Sequence, residues 1–522
     1  LQGFVYLSTG CKADYSPFPE PPFASKFLYS RGFILTTHSI PPRIQTGITG
    51  LDEVLDGGFV PQRAYLLLGG PGTGKTTLGM HFLATGIALN ERCLFINLGE
   101  AESQIKTNAS GIGINLDTVH FLDLRPTSDV FRDMQTYDIF HAAEVEREPI
   151  TKQIVSTIEA LKPQRVFLDT VTHFRYLAPD DFQFRKQMHS FLRFLMEQGA
   201  TVVFTAEESR EPEDNDLQYM CDGMIYLENN TALGRRTLSI VKYRGSAFSE
   251  GRHAVKLTRT GMKVFPRLQP KIFYDDLDIE ALSSGIQELD ALLHGGLERR
   301  TISIISGPTG VGKTLLGMQF MKAAAERGER SVIYAFEEWT QTIINRAEAT
   351  NTPVRAMLDT QILSIVQVDP LQYSPEEFAL MVRRDVEEAG TSIVMIDSIA
   401  GYELSLKGSD LVSHLHALSK YLQSIGVTVL LINEVNEIMG DFKATEVGIS
   451  YMCDNLIFLR YIEFQGEIRR VIGVLKKRLS GFEATLREFE ITPDGIKLGK
   501  PLKNLRGLLT GNPELLELNL HD

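Results

Sequence analysis

Residues 46–83 of this 522-residue chain lie over residues 284–321 without a gap, and 16 of the 38 positions are identical. The first copy reads TGITGLDEVLDGG…LLLGGPGTGKTTLGMHFL, the second SGIQELDALLHGG…SIISGPTGVGKTLLGMQFM. The match recurs where Gln218-Tyr219-Met220-Cys221-Asp222 answers Ser450-Tyr451-Met452-Cys453-Asp454. A period of 238 residues is far too long for a solenoid, so the duplicated unit is a whole domain. Such a chain must fold as two copies of one architecture, within the two to four domains its length allows.

Apolar runs alternate with helical patterns inside each half. Ala64–Leu68, Cys93–Leu98, Arg165–Leu168 and Thr201–Thr205 read as buried strands, with helices over Thr76–Ala88 and Asp181–Gln198. The second half repeats this with Thr301–Ile305, Ser331–Phe336, Ser392–Ile396 and Val427–Ile432. Continuous apolar strands between amphipathic helices predict an α/β fold: in each half, a mostly parallel, doubly wound sheet with flanking helices. The proline cluster Ser16–Pro22 marks residues 1–40 as a loose arm. The halves then run over 41–265 and 280–510, joined by a linker at 266–279 and followed by a short tail at 511–522.

Composition removes several classes of function. Lys and Arg number 53 against 66 Asp and Glu, a net charge of −13, which lacks the basic surplus of most duplex-binding proteins. No run of eighteen uncharged apolar residues is present to span a bilayer. The four cysteines form no CxxC pair, which argues against a disulfide framework or a structural zinc cluster and makes the cytoplasm the expected compartment.

The chemistry begins with two Gly-rich loops. Gly69-Gly70-Pro71-Gly72-Thr73-Gly74-Lys75-Thr76, followed by Thr77, and Gly307-Pro308-Thr309-Gly310-Val311-Gly312-Lys313-Thr314, followed by Leu315, both fit GxxxxGK[ST] between a strand and a helix. Glycines there let backbone N–H groups converge on a phosphate at the helix N-terminus. Lys75 and Lys313 would reach the β- and γ-phosphates of ATP, and Thr76 and Thr314 would bind Mg²⁺. A Gly-rich turn with a surface lysine is the bland alternative, and two matches in register weigh against it.

Asp169 and Asp397 each close an apolar strand, where a carboxylate can hold Mg²⁺ through its water shell. An aspartate there can also simply cap a helix. Glu337 and Glu338 end the second strand of the second half, on the side where ligands gather in doubly wound sheets, and could orient or deprotonate an attacking group. The first half has Gly99-Glu100 at that place, so one acid is missing. A solvated acidic loop is the competing reading. Lys242-Tyr243-Arg244 and Lys476-Lys477-Arg478 come late in their halves, too far along the chain to belong obviously to their own P-loops. A contact to a neighbouring copy's γ-phosphate would explain them and would require a ring; exposed basic strand ends are the alternative.

Together these motifs resemble the tandem RecA-like ATPases typified by the circadian clock protein KaiC. The resemblance spans roughly residues 40–510 and includes the LDxxLxGG segment, both P-loops, Glu337-Glu338, both aspartates and both K-x-R motifs. It is most specific in Asn433-Glu434…Phe442…Ile449-Ser450…Asp454 and Gly466-Glu467…Arg487-Glu488-Phe489. The resemblance implies two tandem RecA-like P-loop NTPase domains in a homo-hexameric double ring, with ATP at the subunit interfaces. It implies a slow ATPase in the first domain and an autokinase and autophosphatase in the second, with a KaiB-like regulator or another signalling protein as partner. The family's paired phosphoacceptors fall on Ser450 and on Tyr451, where the family has threonine, and Thr445 matches a nearby family threonine. A turn capped by Ser450 beside a buried tyrosine is the alternative for that segment. Two other functions share the P-loop: a RecA- or RadA-like DNA-dependent ATPase, against which the charge weighs, and a non-catalytic scaffold glued by nucleotide, which Gly99 favours in the first half only.

Overall fold

The computed structural model describes residues 42–97, 99–124, 147–175, 180–207, 216–232, 234–269, 280–406, 410–435, 449–503, 505–507 and 514–515. The arm 1–40, Thr445, most of the linker and most of the tail lie outside the described residues.

Strands form where sequence and burial agree. In the first half these are β1 (Ala64–Gly69), β2 (Cys93–Asn97), β3 (His120–Asp123), β4 (Arg165–Asp169), β5 (Thr201–Ala206), β6 (Gly223–Asn230), β7 (Arg235–Tyr243), β8 (His253–Thr258) and β9 (Gly261–Phe265). They make one sheet in the order β3-β2-β4-β5-β1-β6-β7-β8-β9. A two-stranded ribbon, β10 (Ala281–Leu282) with β11 (Leu297–Glu298), opens the second half. Its main sheet comprises β12 (Ile302–Gly307), β13 (Ser331–Ala335), β14 (Leu363–Gln367), β15 (Ile393–Asp397), β16 (Thr428–Glu434), β17 (Asn455–Phe464), β18 (Glu467–Lys477), β19 (Arg487–Thr492) and β20 (Gly495–Pro501). The order β14-β13-β15-β16-β12-β17-β18-β19-β20 repeats that of the first sheet strand for strand.

Period-2 alternation explains why each sheet is covered on both faces. Leu67, Phe95, Phe167 and Val203 pack into one core of the first half, and their neighbours Leu66, Leu94, Val166 and Val202 into the other. The second half splits likewise between Ile305, Ile333, Met395 and Leu430 on one face and Ile304, Val332, Val394 and Val429 on the other. Each side chain withdrawn fully from water in this way contributes about 1.5–3 kcal/mol. Six strands in each sheet run parallel, as expected, and three more continue each sheet as an antiparallel meander. The meander was not legible because one face of it is half-exposed and charged, as in Arg235–Tyr243, which blurs the apolar signal. The strand ends shift by one or two residues; Asp169 and Asp397 are the last residues of β4 and β15.

Surface ion pairs join the halves: Lys256 meets Glu377 at 2.8 Å, and Arg383 bonds Glu53. Exposed pairs of this kind add little stability.

Candidate functional site

β1 and β12 lie near the centre of their sheets, and each runs straight into its Gly-rich loop and then a helix, Lys75–Ala88 or Lys313–Glu326. The last loop residues, Gly74 and Gly312, adopt φ of 106° and 114°, a conformation closed to most side chains, which aims the following N–H groups outward. Neither helix has a side-chain cap, so its first amides suit an anion. Val311 and Leu315 send their side chains into the core, so only their main chain can meet a nucleotide.

Each P-loop lysine folds back on its own loop. Lys75 Nζ donates to the carbonyls of Gly69 at 2.5 Å and Gly70 at 2.9 Å; Lys313 Nζ donates to those of Gly307 and Pro308, both at 2.8 Å. Burial lowers the pKa of Lys313, opposed by the nearby carboxylates of Glu434, Asp397 and Glu337. The strand-end aspartates meet the P-loop threonines in both halves: Thr76 Oγ1 donates to Asp169 Oδ2 and Thr314 Oγ1 to Asp397 Oδ2, each at 2.7 Å. Burial raises the Asp397 pKa, the bond from Thr314 opposes the rise, and Glu338 adds to it. Paired hydroxyl and carboxylate oxygens beside a phosphate cradle fit Mg²⁺, which binds a nucleotide with one or two protein oxygens rather than in a dedicated cage. Among the described residues no three His, Cys, Asp or Glu side chains converge as a cage.

The second half gathers more acid than the first. Glu338 is salt-bridged to Arg346 at 2.7 Å. Glu434, which sequence reasoning left without a role, ends β16 beside Gly307, as Glu207 follows β5 in the first half; its signal was a carboxylate closing an apolar strand, the same signal that marked Asp397, so the surplus acid of the second half is Glu337. In the first half Asn97 Oδ1 accepts from the amides of Gly99 and Glu100, and Glu100 Oε2 accepts from Asn108 at 3.4 Å. Asp169 also accepts from Thr205 at 2.5 Å, a hydroxyl that the second half replaces with Ile432.

The K-x-R motifs sit elsewhere. β7 and β18 run antiparallel to the strands that flank β1 and β12, so their last residues lie at the end of the sheet away from their own P-loops. Lys242 Nζ donates to the carbonyls of Gln218 at 2.9 Å and Cys221 at 2.6 Å. Lys476 Nζ donates to those of Ser450 and Cys453, both at 2.7 Å. Arg478 donates to the Tyr451 carbonyl at 2.7 Å and meets Asp454 at 3.5 Å, while the Arg244 amide bonds the Asp222 carbonyl. Ser450 therefore lies in a 3₁₀ turn, Ile449–Tyr451, tied to the second K-x-R motif. The tyrosine beside it is 58 % exposed, which weighs against the alternative of a turn beside a buried one.

The family model described as the KaiC ATPase matches residues 44–269 and again residues 282–503. The chain belongs to the KaiC family. It is 28 % identical over 484 residues to the circadian clock protein KaiC3 of Synechocystis sp., covering 90 % of this chain and 94 % of that one. It is 27 % identical to the circadian clock oscillator protein KaiC of Parasynechococcus marenigrum, over 90 % of this chain and 93 % of the other. The corresponding protein of Synechococcus elongatus is 26 % identical, over 91 % and 92 %. A KaiC-type ATPase match in each half accords with the two nucleotide cradles. No helix among the described residues is long and apolar enough to cross a membrane.

Proposed function

We propose that the chain is a Mg²⁺-dependent ATPase and serine/threonine autokinase that works as a homo-hexameric ring and phosphorylates itself on Ser450. The observation that carries this reading is the separation of donor from acceptor. Lys313 follows the C-terminal end of β12, whereas the Ser450 turn precedes β17, which pairs with β12 from Ser303 onward. A six-residue strand spans roughly 20 Å, so a P-loop and a Ser450 at opposite ends of it can meet only between two copies. A ring that sets one copy's P-loop end against the next copy's Ser450 end brings them together and carries Lys476 and Arg478 into the same site.

The Ser450 hydroxyl oxygen then attacks the γ-phosphorus in line, the bond to the β-phosphate oxygen breaks, ADP leaves, and the hydroxyl proton passes to Glu337 or Glu338. Thr314 and Asp397 would hold Mg²⁺, whose charge offsets that of the β- and γ-phosphates. Thr76, Asp169 and Glu100 would serve the first site in the same roles, with Lys242 and Arg244 supplied by the neighbour. Domains of 41–265 and 280–510 around a linker at 266–279 suit this division. The clock proteins among the relatives support a regulatory role, with a KaiB-like or other signalling protein as partner and the cytoplasm as compartment.

Intact-mass spectrometry after incubation with Mg-ATP tests the kinase reading, because each phosphate transferred adds its own mass. Absence of any adduct would refute it. Assembly has a separate test. Light scattering at saturating Mg-ATP should give six times the mass of one chain, and Arg244→Ala or Arg478→Ala should weaken the ring. A chain that stays monomeric with nucleotide would sink both the ring and the trans role of these cations. Added DNA should leave ATP turnover unchanged; stimulation that falls steeply with salt would point to a RecA-like function instead.

A further inference from the structure

The strand ends that carry the K-x-R motifs have little ladder to hold them. β17 and β18 pair as Ile457↔Val474 and then Leu456↔Lys476, a bulge that leaves two residue pairs beyond it. β6 and β7 shift in the same way between Ile225↔Ile240 and Met224↔Lys242. A bulge breaks the ladder locally and lets the strand end bend, so side chains must anchor the residues beyond it.

The first half anchors its strand end with aromatics. Tyr243, between the two cations, is buried and donates to the Gly58 carbonyl at 2.6 Å. Its ring centroid lies 5.7 Å from Tyr65, whose ring is 4.2 Å from Phe59. The repeat puts Lys477, Ser303 and Leu297 at these three places, and Glu298 where the first half has Val60. The second half is anchored by an ion pair instead. Lys477 Nζ lies 3.0 Å from Glu298 Oε1, with the two side chains 2 % and 3 % exposed. Lys477 also donates to Ser480 Oγ at 2.6 Å and to the Leu293 carbonyl, and Ser480 donates to the same Glu298 oxygen at 2.6 Å. Glu298 Oε2 is buried without a hydrogen-bond partner. A buried pair is a poor source of stability compared with apolar packing, and its best-attested use is to set register.

We propose that the Glu298–Lys477 pair is a positioning device: it locks the end of β18 so that Lys476, Arg478 and the Ser450 turn bound to them are presented in one geometry to a neighbouring copy. Alternation along the strand puts Lys477 on the side opposite Lys476, so the core holds the one while the other reaches the turn. The consequence for phosphotransfer rests on the autokinase reading above; the local anchoring does not.

The test uses the full chain in three forms: wild type, Glu298→Gln, and the double variant Glu298→Val with Lys477→Tyr, which installs the first half's residues. Two quantities are read: amide hydrogen exchange by peptide mass spectrometry, and Ser450 phosphorylation as a function of ATP concentration. In Glu298→Gln, peptides covering 449–455 and 475–478 should exchange at least about tenfold faster while those of β12, β13 and β15 stay unchanged. The rate at saturating Mg-ATP should fall on the order of 10²-fold, because a displacement of about 1 Å suffices for that. The ATP concentration for half-maximal rate should rise by no more than about tenfold, less than the rate falls, since the P-loop is at the other end of the sheet and Lys476 and Arg478 are only part of what the neighbour's nucleotide meets. The double variant, with no buried charge left unpaired, should recover most of both signals; should Glu298→Gln fail to fold, a folded double variant with wild-type exchange at 449–455 carries the proposal. Wild-type exchange in Glu298→Gln, or a uniform rise through the whole half, would overturn the proposal, as would a double variant that folds without recovering. If wild-type protein incorporates no phosphate at Ser450, the autokinase reading fails and the exchange data alone decide the anchoring.

Discussion

Lys313→Ala should remove most of the chain's ATP turnover, at least about tenfold, whereas Lys75→Ala should leave most turnover intact and weaken assembly instead. The asymmetry arises from the acids. A positioned general acid or base contributes on the order of 10²–10⁴-fold, and the first half lacks one of the two that the second half has. Glu337 and Glu434 act on the Lys313 ammonium together with Asp397, and Glu338 acts on Asp397. In the first half Glu207 answers Glu434, but Gly99 and Glu100 stand where the second half has Glu337 and Glu338, and the Glu100 carboxylate bonds Asn108 on the neighbouring helix. Nucleotide there is expected to be bound tightly and hydrolysed slowly, as glue for the ring. Steady-state turnover of the two variants, with light scattering on the same samples, separates the roles. A larger loss of turnover in Lys75→Ala than in Lys313→Ala would reverse the assignment.

Ser450→Ala should abolish most phosphate incorporation, leaving only a minor signal at Thr445. Lys476 and Arg478 grip the carbonyls of Ser450 and Tyr451, so the backbone of this turn is held in place. Tyr451 should remain unmodified even though it is exposed. Its phenolic oxygen stands about 6 Å from Cα against about 2.4 Å for a threonine hydroxyl, so from the same backbone it overshoots a γ-phosphate placed for Ser450. Phosphopeptide mapping of wild type and Ser450→Ala after incubation with Mg-ATP measures all three positions at once. Undiminished incorporation in the variant, or phosphate on Tyr451, would show that Ser450 is not the acceptor.

Much of the nucleotide site was legible because its chemistry is local in the chain. A P-loop is eight consecutive residues, and glycines, lysine and threonine at fixed offsets can be recognised without knowing what packs around them. Burial on both faces made the parallel strands continuous apolar runs, which is why β4 and β15 and the aspartates that end them could be read directly. The duplication itself implied that whatever one half folds into, the other does too.

Other features depend on residues far apart in sequence, and nothing in their local composition announces them. The bond between Thr314 and Asp397 spans 83 residues and exists because β12 and β15 are separated only by β16 in the sheet. Sequence placed one basic motif late in each half; only the antiparallel return of β7 and β18 puts them at the far end of the sheet, beside the Ser450 turn in the second half and away from their own P-loops. The exchange of an aromatic anchor for the Glu298–Lys477 pair was likewise invisible, since a lysine inside K-K-R reads as solvent-facing until its side chain is seen 2 % exposed against a glutamate. Which residues could cradle a phosphate was readable along the chain, because contiguous residues carry their geometry with them. Which acids, cations and hydroxyls share that cradle, and which lie a strand's length away, was decided by sheet order and strand direction, which are set by long-range packing.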